Sequence, residues 1–357
     1  MTLNDSSLPV AVLGGTGYVA GELLRLLHFH PHFRVACVVS TTQQNEPVAK
    51  AFPHLAGTPA GSLSFESSET LCAKLARGEP HGIFAATPHG STAALLSSIL
   101  DAAEQGTSKS RAVDLSADFR FRNAARYEAI YRQPHCAPNR LPQFTCAVPE
   151  HVQGKPTLHA TQPGCFTTAT TLGAWPFFAL GLVEPHVFVS AVTGSSGSGR
   201  TPSKGTHHPE RHSNFVAYSP LTHRHEAEMR MLLGAAQGQE PEVDFVPHSG
   251  PFVRGIHATL RMTLIEPASA AELVSRVSAL HTADPFLSAS AEPPRLTDVV
   301  GTNRCQLGIA TRGRTLVVTS VIDNLVKGAA GGAIQWMNRL FELPDDTGLI
   351  LPGLGWY

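Results

Sequence analysis

Long apolar runs are missing from this sequence, and so is any excess of charge of one sign. Its 357 residues include 27 basic and 28 acidic side chains, which gives a net charge of −1. No stretch approaches the roughly 20 apolar residues that cross a bilayer. No cluster of Lys and Arg offers a footprint for nucleic acid or an anionic membrane. The composition therefore predicts a globular protein with no nucleic-acid or membrane partner, whose anionic ligands are bound by local groups.

Paired cysteines and a secretory leader are absent as well. The six cysteines are scattered without a C-x-x-C pair, so neither a zinc ribbon nor a redox dithiol is predicted. The opening MTLNDSSLPVAVLGG has no basic segment followed by a long apolar run, unlike a signal peptide. We therefore expect a reducing compartment, the cytoplasm by default. The chain length suits two domains.

The segment VAVLGGTGYVAGELLRLLHFHP predicts a strand, a glycine turn and a helix. Backbone N–H groups of such a turn, with the helix N-terminus behind them, bind the pyrophosphate of a dinucleotide. Two further strand–turn units, HGIFAATPHGSTAALL and RAVDLSADFR, continue the pattern of a doubly wound α/β sheet to about residue 163. The predicted cofactor-binding residues here are Gly14, Gly15, Thr16, Gly17, Tyr18 and Val19, with Thr87 and Pro88 after a later strand.

The second strand, RVACVV, indicates which dinucleotide is bound. It ends in Ser40-Thr41-Thr42, and no carboxylate follows until Glu46. An NAD site normally places Asp or Glu at this point to bind the ribose hydroxyls. Small hydroxyl side chains leave room for a 2′-phosphate and do not repel it. We therefore expect NADP(H), with Ser40 and Thr41 among its contacts.

In the central segment HATQPGCFTTATTLGAW, Cys165 follows a Pro-Gly pair at the start of a predicted helix. A helix N-terminus favours thiolate over thiol, which indicates a nucleophile; simple packing is the alternative. Downstream, in THRHEAEMR, His225 and Glu228 are three residues apart and share a helix face, where the carboxylate can orient the imidazole. A Cys–His pair with an orienting carboxylate is the general form of an activated thiol. The histidine-rich stretch around them lacks zinc-type spacing, so no metal is predicted.

Seven motifs then follow one another in a recognisable order: GGTGYVAGELLRLLHFHP, DLSADFR, PGCFTTAT, GSSGSGR, THRHEAE, PHSGPFVRGI and GTNRCQLGIA…VIDNLVKGAAGGAIQWMN. Over nearly its whole length the chain resembles the N-acetyl-γ-glutamyl-phosphate reductase family. The resemblance implies a Rossmann-type α/β NADP-binding domain at residues 1–163, completed by a C-terminal helix at 326–357. It implies a second, α+β domain of the semialdehyde-dehydrogenase type, with a mixed sheet, for catalysis and dimerisation at 164–325.

The resemblance also implies a chemistry. Cys165 is the expected nucleophile on a small-molecule acyl phosphate, with NADPH as reductant and a homodimer or homotetramer as the assembly. The family's acid–base histidine lies in the HRH segment; we place it on His225 because Glu228 lies three residues on, with His223 as the second candidate. The remaining predicted contacts are Ser195, Gly197 and Asn324 for the cofactor, and Arg120, Arg200 and Arg254 for the substrate carboxylate and phosphate. The local sequence is equally compatible with Arg254 being an arginine in a turn without a binding role.

Two other functions stay open at this point. One is a reductase of lysine biosynthesis that acts on an aminoadipyl phosphate linked to an acidic carrier protein, for which HHPER and the GTN…IDNLVKG ending are also suitable. GSSGSGR and the shortage of basic residues favour instead the free acetylglutamyl phosphate of arginine biosynthesis. The other is a catalytically inactive, NADP-sensing regulator, which would need neither Cys165 nor His225.

Overall fold

The computed structural model describes residues 7–355, which fall into two compact units. The first unit comprises the residues up to Cys146 together with Val152–Gln162 and Ala330–Ile350. The second comprises Ala147–His151, Pro163–Ala329 and the segment from Leu351. Compared with the division predicted from sequence, the second unit also takes in 147–151, Pro163, 326–329 and the segment from Leu351. The first six and last two residues of the predicted domain ranges lie outside the described residues.

A parallel six-stranded sheet forms the centre of the first unit. Its strands are β1 (Leu8–Leu13), β2 (Phe33–Val39), β3 (Gly82–Ala85), β4 (Arg111–Asp114), β5 (Phe144–Cys146) and β6 (His159–Thr161), in the order β2-β1-β3-β4-β6-β5. Its helices before β5 are α1 (Tyr18–Leu27), α2 (Val48–Ala51), α3 (Ser68–Ala76), α4 (Thr92–Gln105) and α5 (Ala124–Tyr131). The order of strands reverses between β1 and β3, and in such sheets ligands bind where this reversal occurs.

The DLSADFR motif connects two of the loops at the carboxyl end of this sheet. Asp118, fully buried, accepts hydrogen bonds from the backbone N–H groups of Gly90 (2.7 Å) and Ala93 (2.9 Å). It thereby caps the first turn of α4 from a distant loop, as helix N-termini require. Asp114 accepts from the backbone and hydroxyl of Ser116, while burial raises the pKa of Asp114 to about 6. The motif thus fixes the loops that follow β3 and β4.

The second unit has a seven-stranded mixed sheet. Its strands are β7 (Val183–Thr193), β8 (Val216–Ala217), β9 (Glu242–Ser249), β10 (Ile256–Leu264), β11 (Leu287–Ser290), β12 (Cys305–Arg312) and β13 (Thr315–Ile322). They lie in the order β11-β12-β13-β10-β7-β9-β8, with parallel pairs β11/β12 and β7/β9. The helices are α6 (Cys165–Ala179), α7 (His208–Arg211), α8 (His225–Gln237) and α9 (Ala270–Leu280).

Helix α6 is the centre of the second core. Alternate residues of β7 and β10, such as Val189 and Leu260, share this core with apolar side chains of α6, α8 and α9. A Cβ on Gly173 of α6 would lie 3.1 Å from the Cβ of Ser320 on β13, so the missing side chain lets the helix approach the sheet closely. Because α6 packs closely against the sheet, the position of its first residue, Cys165, is fixed.

The last helix, α10 (Gly331–Leu340), packs on β4, β6 and α1 of the first unit. Asn338 Oδ1 lies 3.0 Å from Nε2 of the buried His30. Within residues 7–355, every helix is too short or too polar to cross a membrane. The predicted fold class, a Rossmann-type α/β unit with an α+β unit containing a mixed sheet, is confirmed.

A buried ion pair lies in the second unit, where a π-helix over Val326–Ala330 precedes α10. The side chains of Lys327 and Glu150 are 1% and 0% exposed and bind through Nζ and Oε1. The Nζ atom also lies 5.4 Å from the centre of the Phe286 ring. Because both charged groups are buried, removing either one would leave the other buried without its opposite charge.

We expect Lys327→Met to lower the free energy of unfolding by about 3–5 kcal/mol, because the Glu150 carboxylate would be left buried without its cation. The double variant Lys327→Met/Glu150→Gln should recover part of this loss. Urea unfolding followed by fluorescence measures both. Arg295→Ala, which breaks the exposed pair Arg295–Asp298, is the control and should leave the midpoint unchanged. A Lys327→Met protein as stable as the wild type would contradict the prediction.

Candidate active site

The turn before α6 presents Cys165 as the first residue of the helix, as the sequence predicts. Gly164 is the N-cap residue, with φ −59° and ψ 149°, and its carbonyl accepts the first helical hydrogen bond, from Thr168 N at 2.8 Å. The Cys165 side chain is partly exposed. The backbone N–H groups of a first helical turn have no helical partners and point outward along the axis. The thiol therefore lies beside backbone donors at the positive end of a helix dipole.

Two glycines allow other elements to reach this turn. A Cβ on Gly164 would lie 2.4 Å from Nε2 and 2.5 Å from Cε1 of His225, so the imidazole packs directly against the glycine backbone. A Cβ on Gly328 would lie 2.7 Å from the Cβ of Cys165. His225 is the first residue of α8 and is 7% exposed. The fold thus brings the predicted histidine to the residue that precedes the predicted nucleophile.

Glu228 is directed at the same turn. Its carboxylate is fully buried, and Oε2 accepts hydrogen bonds from the backbone N–H of Gly164 (3.0 Å) and from Oγ1 of Thr167 (3.1 Å). Sequence spacing suggests the imidazole of His225 as its partner. The contacts to Gly164 and Thr167 are between residues far apart in the chain, and no local pattern indicates them.

The structure distinguishes the two histidines of the HRH segment. Nδ1 of His223 accepts a hydrogen bond from the backbone N–H of His225 at 3.2 Å, so this nitrogen carries no proton and His223 helps to begin α8. Its ring packs 5.8 Å from Phe166 and 5.4 Å from Phe245. Burial lowers the pKa of His223 to about 4. His223 is therefore neutral near pH 7 and is held in a capping position.

A phenol that the sequence reasoning missed also lies here. The ring of Tyr218 is 5.7 Å from that of His223. Burial raises the pKa of Tyr218, and the nearby Cys165 adds to this rise. In the sequence, the only indication of Tyr218 was its position within the histidine-rich stretch. Tyr218 is a further group beside the thiol.

In the first unit, the glycine turn after β1 is tight and lined by backbone. Gly14 has φ +76°, and a Cβ there would lie 2.5 Å from the carbonyl oxygen of Ala86 and 2.9 Å from Thr87 N. Gly17 is the N-cap residue of α1, with no side chain capping the helix and no atom closer than 3.9 Å to a Cβ built on it. The uncapped N-terminus and the open glycine surface fit a pyrophosphate.

The other residues predicted for this site surround the turn. Thr16 and Val19 are partly exposed, and Tyr18 is 42% exposed. A Cβ on Gly15 would lie 2.7 Å from Cγ1 of Val38, so Gly15 lets the turn pack on β2. In the loop after β3, Thr87 Oγ1 lies 2.6 Å from Thr92 Oγ1, and the carbonyl of Pro88 accepts from Ser91 Oγ.

The loop after β2 is shaped by Ser40. Its buried Oγ accepts from the backbone N–H groups of Thr42 and Gln43 at 3.3 and 3.2 Å, while Thr41 is exposed. A carboxylate missed by the sequence reasoning, Glu66, comes beside the end of β2 through its backbone, which accepts from Ser40 N. Its side chain is bound to Lys74 at 2.8 and 3.0 Å. Pairing with a cation reduces the capacity of Glu66 to repel a 2′-phosphate.

In the second unit, Asp323 and Asn324 join several loops. Asn324 accepts from Gly255 N at 2.7 Å and donates to Ser196 Oγ at 3.1 Å. The neighbouring Ser195 donates its N–H to Phe252 O, and Gly197 closes the same turn by donating its own to Gly194 O. These bonds bring the GSSGSG loop and the start of β10 together. The cofactor contacts proposed for Ser195, Gly197 and Asn324 stay predictions.

The three arginines predicted to bind anions have different surroundings. Arg254 donates through Nε and Nη2 to Oδ2 of the buried Asp323, both at 3.0 Å. Arg120, 4% exposed, donates from Nε to Gln162 O at 3.1 Å and from Nη2 to Leu115 O at 3.2 Å. Arg200 is exposed on the glycine-serine loop. Their anion-binding roles stay predictions. Among the described residues, no three His, Cys, Asp or Glu side chains are grouped so as to hold a metal ion.

Comparison with known proteins agrees with these two units. Residues 9–151 match the model of the semialdehyde dehydrogenase NAD binding domain, and residues 165–324 match the semialdehyde dehydrogenase dimerisation domain. Aspartate semialdehyde dehydrogenase II of Vibrio cholerae, solved in complex with ASA, aligns with a TM-score of 0.69 at 14% identity, covering 94% of this chain and 98% of that one. The aspartate semialdehyde dehydrogenase of Candida albicans, solved with NADP, aligns with a TM-score of 0.65 at 14% identity, covering 96% and 100%. The fold is that of the semialdehyde dehydrogenases.

Relatives with higher sequence identity indicate which family within this class the chain belongs to. An N-acetyl-γ-glutamyl-phosphate reductase of Desulforudis audaxviator is 36% identical over 97% of this chain and 99% of its own length. One of Pseudomonas entomophila is 37% identical over the same shares. The chain belongs to the N-acetyl-γ-glutamyl-phosphate reductase family, and the resemblance seen in its motifs is confirmed.

The geometry of the glycine turn can be tested by Gly14→Ala. A methyl group there meets the Ala86 carbonyl, so the turn must open and we expect NADPH binding, measured by its fluorescence, to weaken at least tenfold. Gly57→Ala is the matched control, because Gly57 also has a positive φ (+81°) but no atom within 4 Å of an added Cβ. It shares the backbone strain of about 1 kcal/mol without the clash. Equal binding by both variants would contradict the assignment of this turn.

Proposed function

We propose that the chain catalyses the NADPH-dependent reductive dephosphorylation of N-acetyl-γ-glutamyl phosphate to N-acetylglutamate 5-semialdehyde, a step of arginine biosynthesis, through a thioester on Cys165. One observation carries the proposal. A thiol at a helix N-terminus has an imidazole packed against the glycine that precedes it. This is the arrangement of an activated sulfur nucleophile. Membership of the reductase family supplies the substrate.

Cys165 acts first. Its thiolate, stabilised by the imidazolium of His225 and by the helix N-terminus, attacks the acyl carbon of the substrate. The bond from this carbon to the phosphate oxygen breaks, a thioester forms, and the phosphate leaves and takes a proton from water. N–H groups in the first turn of α6 stabilise the negative charge that develops on the carbonyl oxygen.

The glycine turn holds the reductant in this proposal. Gly14 and Gly15 let the turn pack closely, the open surface at Gly17 and the N-terminus of α1 face the pyrophosphate, and the hydroxyls of Ser40 and Thr41 donate to the 2′-phosphate. NADPH, when bound, supplies the hydride that reduces the thioester carbonyl. The preference for NADPH over NADH rests on the hydroxyl-rich loop after β2 and on the pairing of Glu66 with Lys74.

His225 then moves the proton. As an imidazolium it donates to the oxygen of the hemithioacetal, and as a neutral imidazole it takes that proton back when the aldehyde forms and the thiolate of Cys165 leaves. His223 does not compete for this role, because its Nδ1 is occupied as an acceptor and its pKa is about 4. The enzyme ends the cycle with thiolate and imidazolium restored.

We also propose that the first unit binds the cofactor and that the second carries catalysis and self-association. The match of residues 165–324 to a dimerisation domain supports a homo-oligomer, which we take to be a homodimer or homotetramer. The cytoplasm is the proposed location, because the thiol chemistry needs a reducing compartment.

The reaction is tested in reverse with N-acetylglutamate semialdehyde, phosphate and NADP⁺, following NADPH at 340 nm. We expect the wild type to be active and Cys165→Ser to show no activity above background. The two proteins should bind NADPH equally well. Equal activity of the two proteins would contradict the thioester mechanism. Wild-type protein that binds NADPH but uses only the carrier-linked aminoadipyl substrate would move the function to lysine biosynthesis. NADPH binding without any reductase activity would favour the regulator.

The choice of histidine is tested by a matched pair of substitutions. We expect His225→Asn to lower kcat by about 10²–10⁴-fold, because general acid–base catalysis is lost. His223→Asn should keep kcat within several-fold, because an amide oxygen can accept from His225 N in place of Nδ1. Since the pKa of His223 is about 4, any limb of the pH–rate profile above pH 5 should be present in His223→Asn. A larger loss in His223→Asn than in His225→Asn would reverse the assignment.

A further inference from the structure

The carboxylate of Glu228 has a contact that the mechanism above does not use. Glu228 lies on α8, three residues after His225, and is fully buried. Its Oε2 accepts from Gly164 N at 3.0 Å and from Thr167 Oγ1 at 3.1 Å. These donors belong to the N-cap residue and to the third residue of α6, and Cys165 lies between them in the chain. One oxygen atom therefore ties α8 to both sides of the proposed nucleophile.

We propose that Glu228 is a positioning residue for Cys165: its carboxylate fixes the first turn of α6 through Gly164 and Thr167, and its negative charge makes the thiolate depend on the imidazolium of His225. The inference rests on the proposed function, since it assigns a role around the same nucleophile. It differs from the role suggested by sequence spacing, in which Glu228 acts on the imidazole.

The first part follows from the hydrogen bonds. A buried carboxylate needs donors, and the N–H groups at a helix N-terminus need acceptors, so each satisfies the other. Hydrogen bonds in which the acceptor is charged are about twice as strong as neutral ones. The turn at Gly164 cannot shift without breaking this bond or meeting the His225 ring, which leaves no room even for a Cβ.

The second part follows from charge. The N-terminus of α6 by itself favours a thiolate. A carboxylate bound at the same end has the opposite effect, because a nearby like charge disfavours the ionised thiol. The imidazolium of His225 then supplies the compensating positive charge. The thiol would thus be most reactive only when His225 is protonated beside it, which matches the start of the catalytic cycle.

Other charged groups surround the turn, and the test must separate Glu228 from them. The other ionisable side chains on the segments that pack around it are Tyr218, His223, Arg224, His225 and Glu226, with Lys327 and its partner Glu150. Lys327, next to the Gly328 that contacts Cys165, is bound to Glu150. His223 is neutral above about pH 4. A change at Glu228 is therefore the direct way to remove negative charge from this turn.

The experiment measures alkylation of Cys165 by iodoacetamide against pH in the full chain without substrate, read as the mass of the Cys165 peptide. In Glu228→Gln the amide oxygen can still accept both hydrogen bonds but the charge is gone, so we expect the pKa of the thiol to fall. Each unit of fall raises the thiolate fraction tenfold and lowers its nucleophilicity about threefold, so alkylation below the pKa rises about threefold per unit. If Glu228 acts through the imidazole, its loss weakens the imidazolium and the thiol pKa rises instead, which would overturn the proposal.

Two more variants separate position from charge. Thr167→Val removes one of the two donors and keeps the carboxylate, so we expect kcat to fall severalfold with KM little changed, and Thr167→Ser to restore it. Glu226→Gln, on the same helix, is the matched charge control and should leave the alkylation profile unchanged. An equal shift in Glu226→Gln, or no shift in a folded Glu228→Gln, would overturn the inference. Because alkylation needs no substrate, a wild type without reductase activity would contradict the proposed function and leave this test of Glu228 intact.

Discussion

The contact between the His225 imidazole and the backbone of Gly164 is the constraint on which the rest of the proposed catalytic site depends. Only a residue without a Cβ leaves room for the ring at this point. The contact joins the first turn of α8 to the first turn of α6, so the two helices must begin side by side. Cys165 is the next residue, and it is held from another direction by Gly328. The core between α6 and the mixed sheet then keeps these short distances from relaxing.

The first unit uses the same device for a different purpose. Gly14 brings the turn after β1 against the carbonyl of Ala86, and Gly17 leaves the start of α1 open. In both units a proposed site lies at a helix N-terminus, whose first-turn backbone N–H groups have no helical partners; glycine leaves the start of α1 open and makes room for the His225 ring at the start of α6. A nucleophile needs such donors for a developing oxyanion, and a dinucleotide needs them for its pyrophosphate.

Buried carboxylates hold the loops that carry these surfaces. Asp118 binds the start of α4, and Glu228 binds the start of α6. Asp323 accepts from Leu325 N, from Gly301 N and from the fork of Arg254. Each of these carboxylates lies in one of the family motifs. Motifs such as DLSADFR and VIDNLVKG therefore hold loops in place as well as carrying residues proposed for the chemistry. The cost of burying each charge is offset by several donors at once.

The sequence by itself determined the glycine turn after β1, the helix that begins at Cys165 and the two kinds of sheet, because these depend on local sterics and on hydrophobic periodicity. It also brought His225 and Glu228 to one face of one helix. Only the tertiary structure decided their partners. Glu228 binds Gly164 and Arg254 binds Asp323, 64 and 69 residues away in the chain. His223 proved to be a cap because its ring accepts from the His225 backbone. These partners are brought together by the packing of α6, α8 and the strands against one another. Spacing along the chain does not indicate that packing.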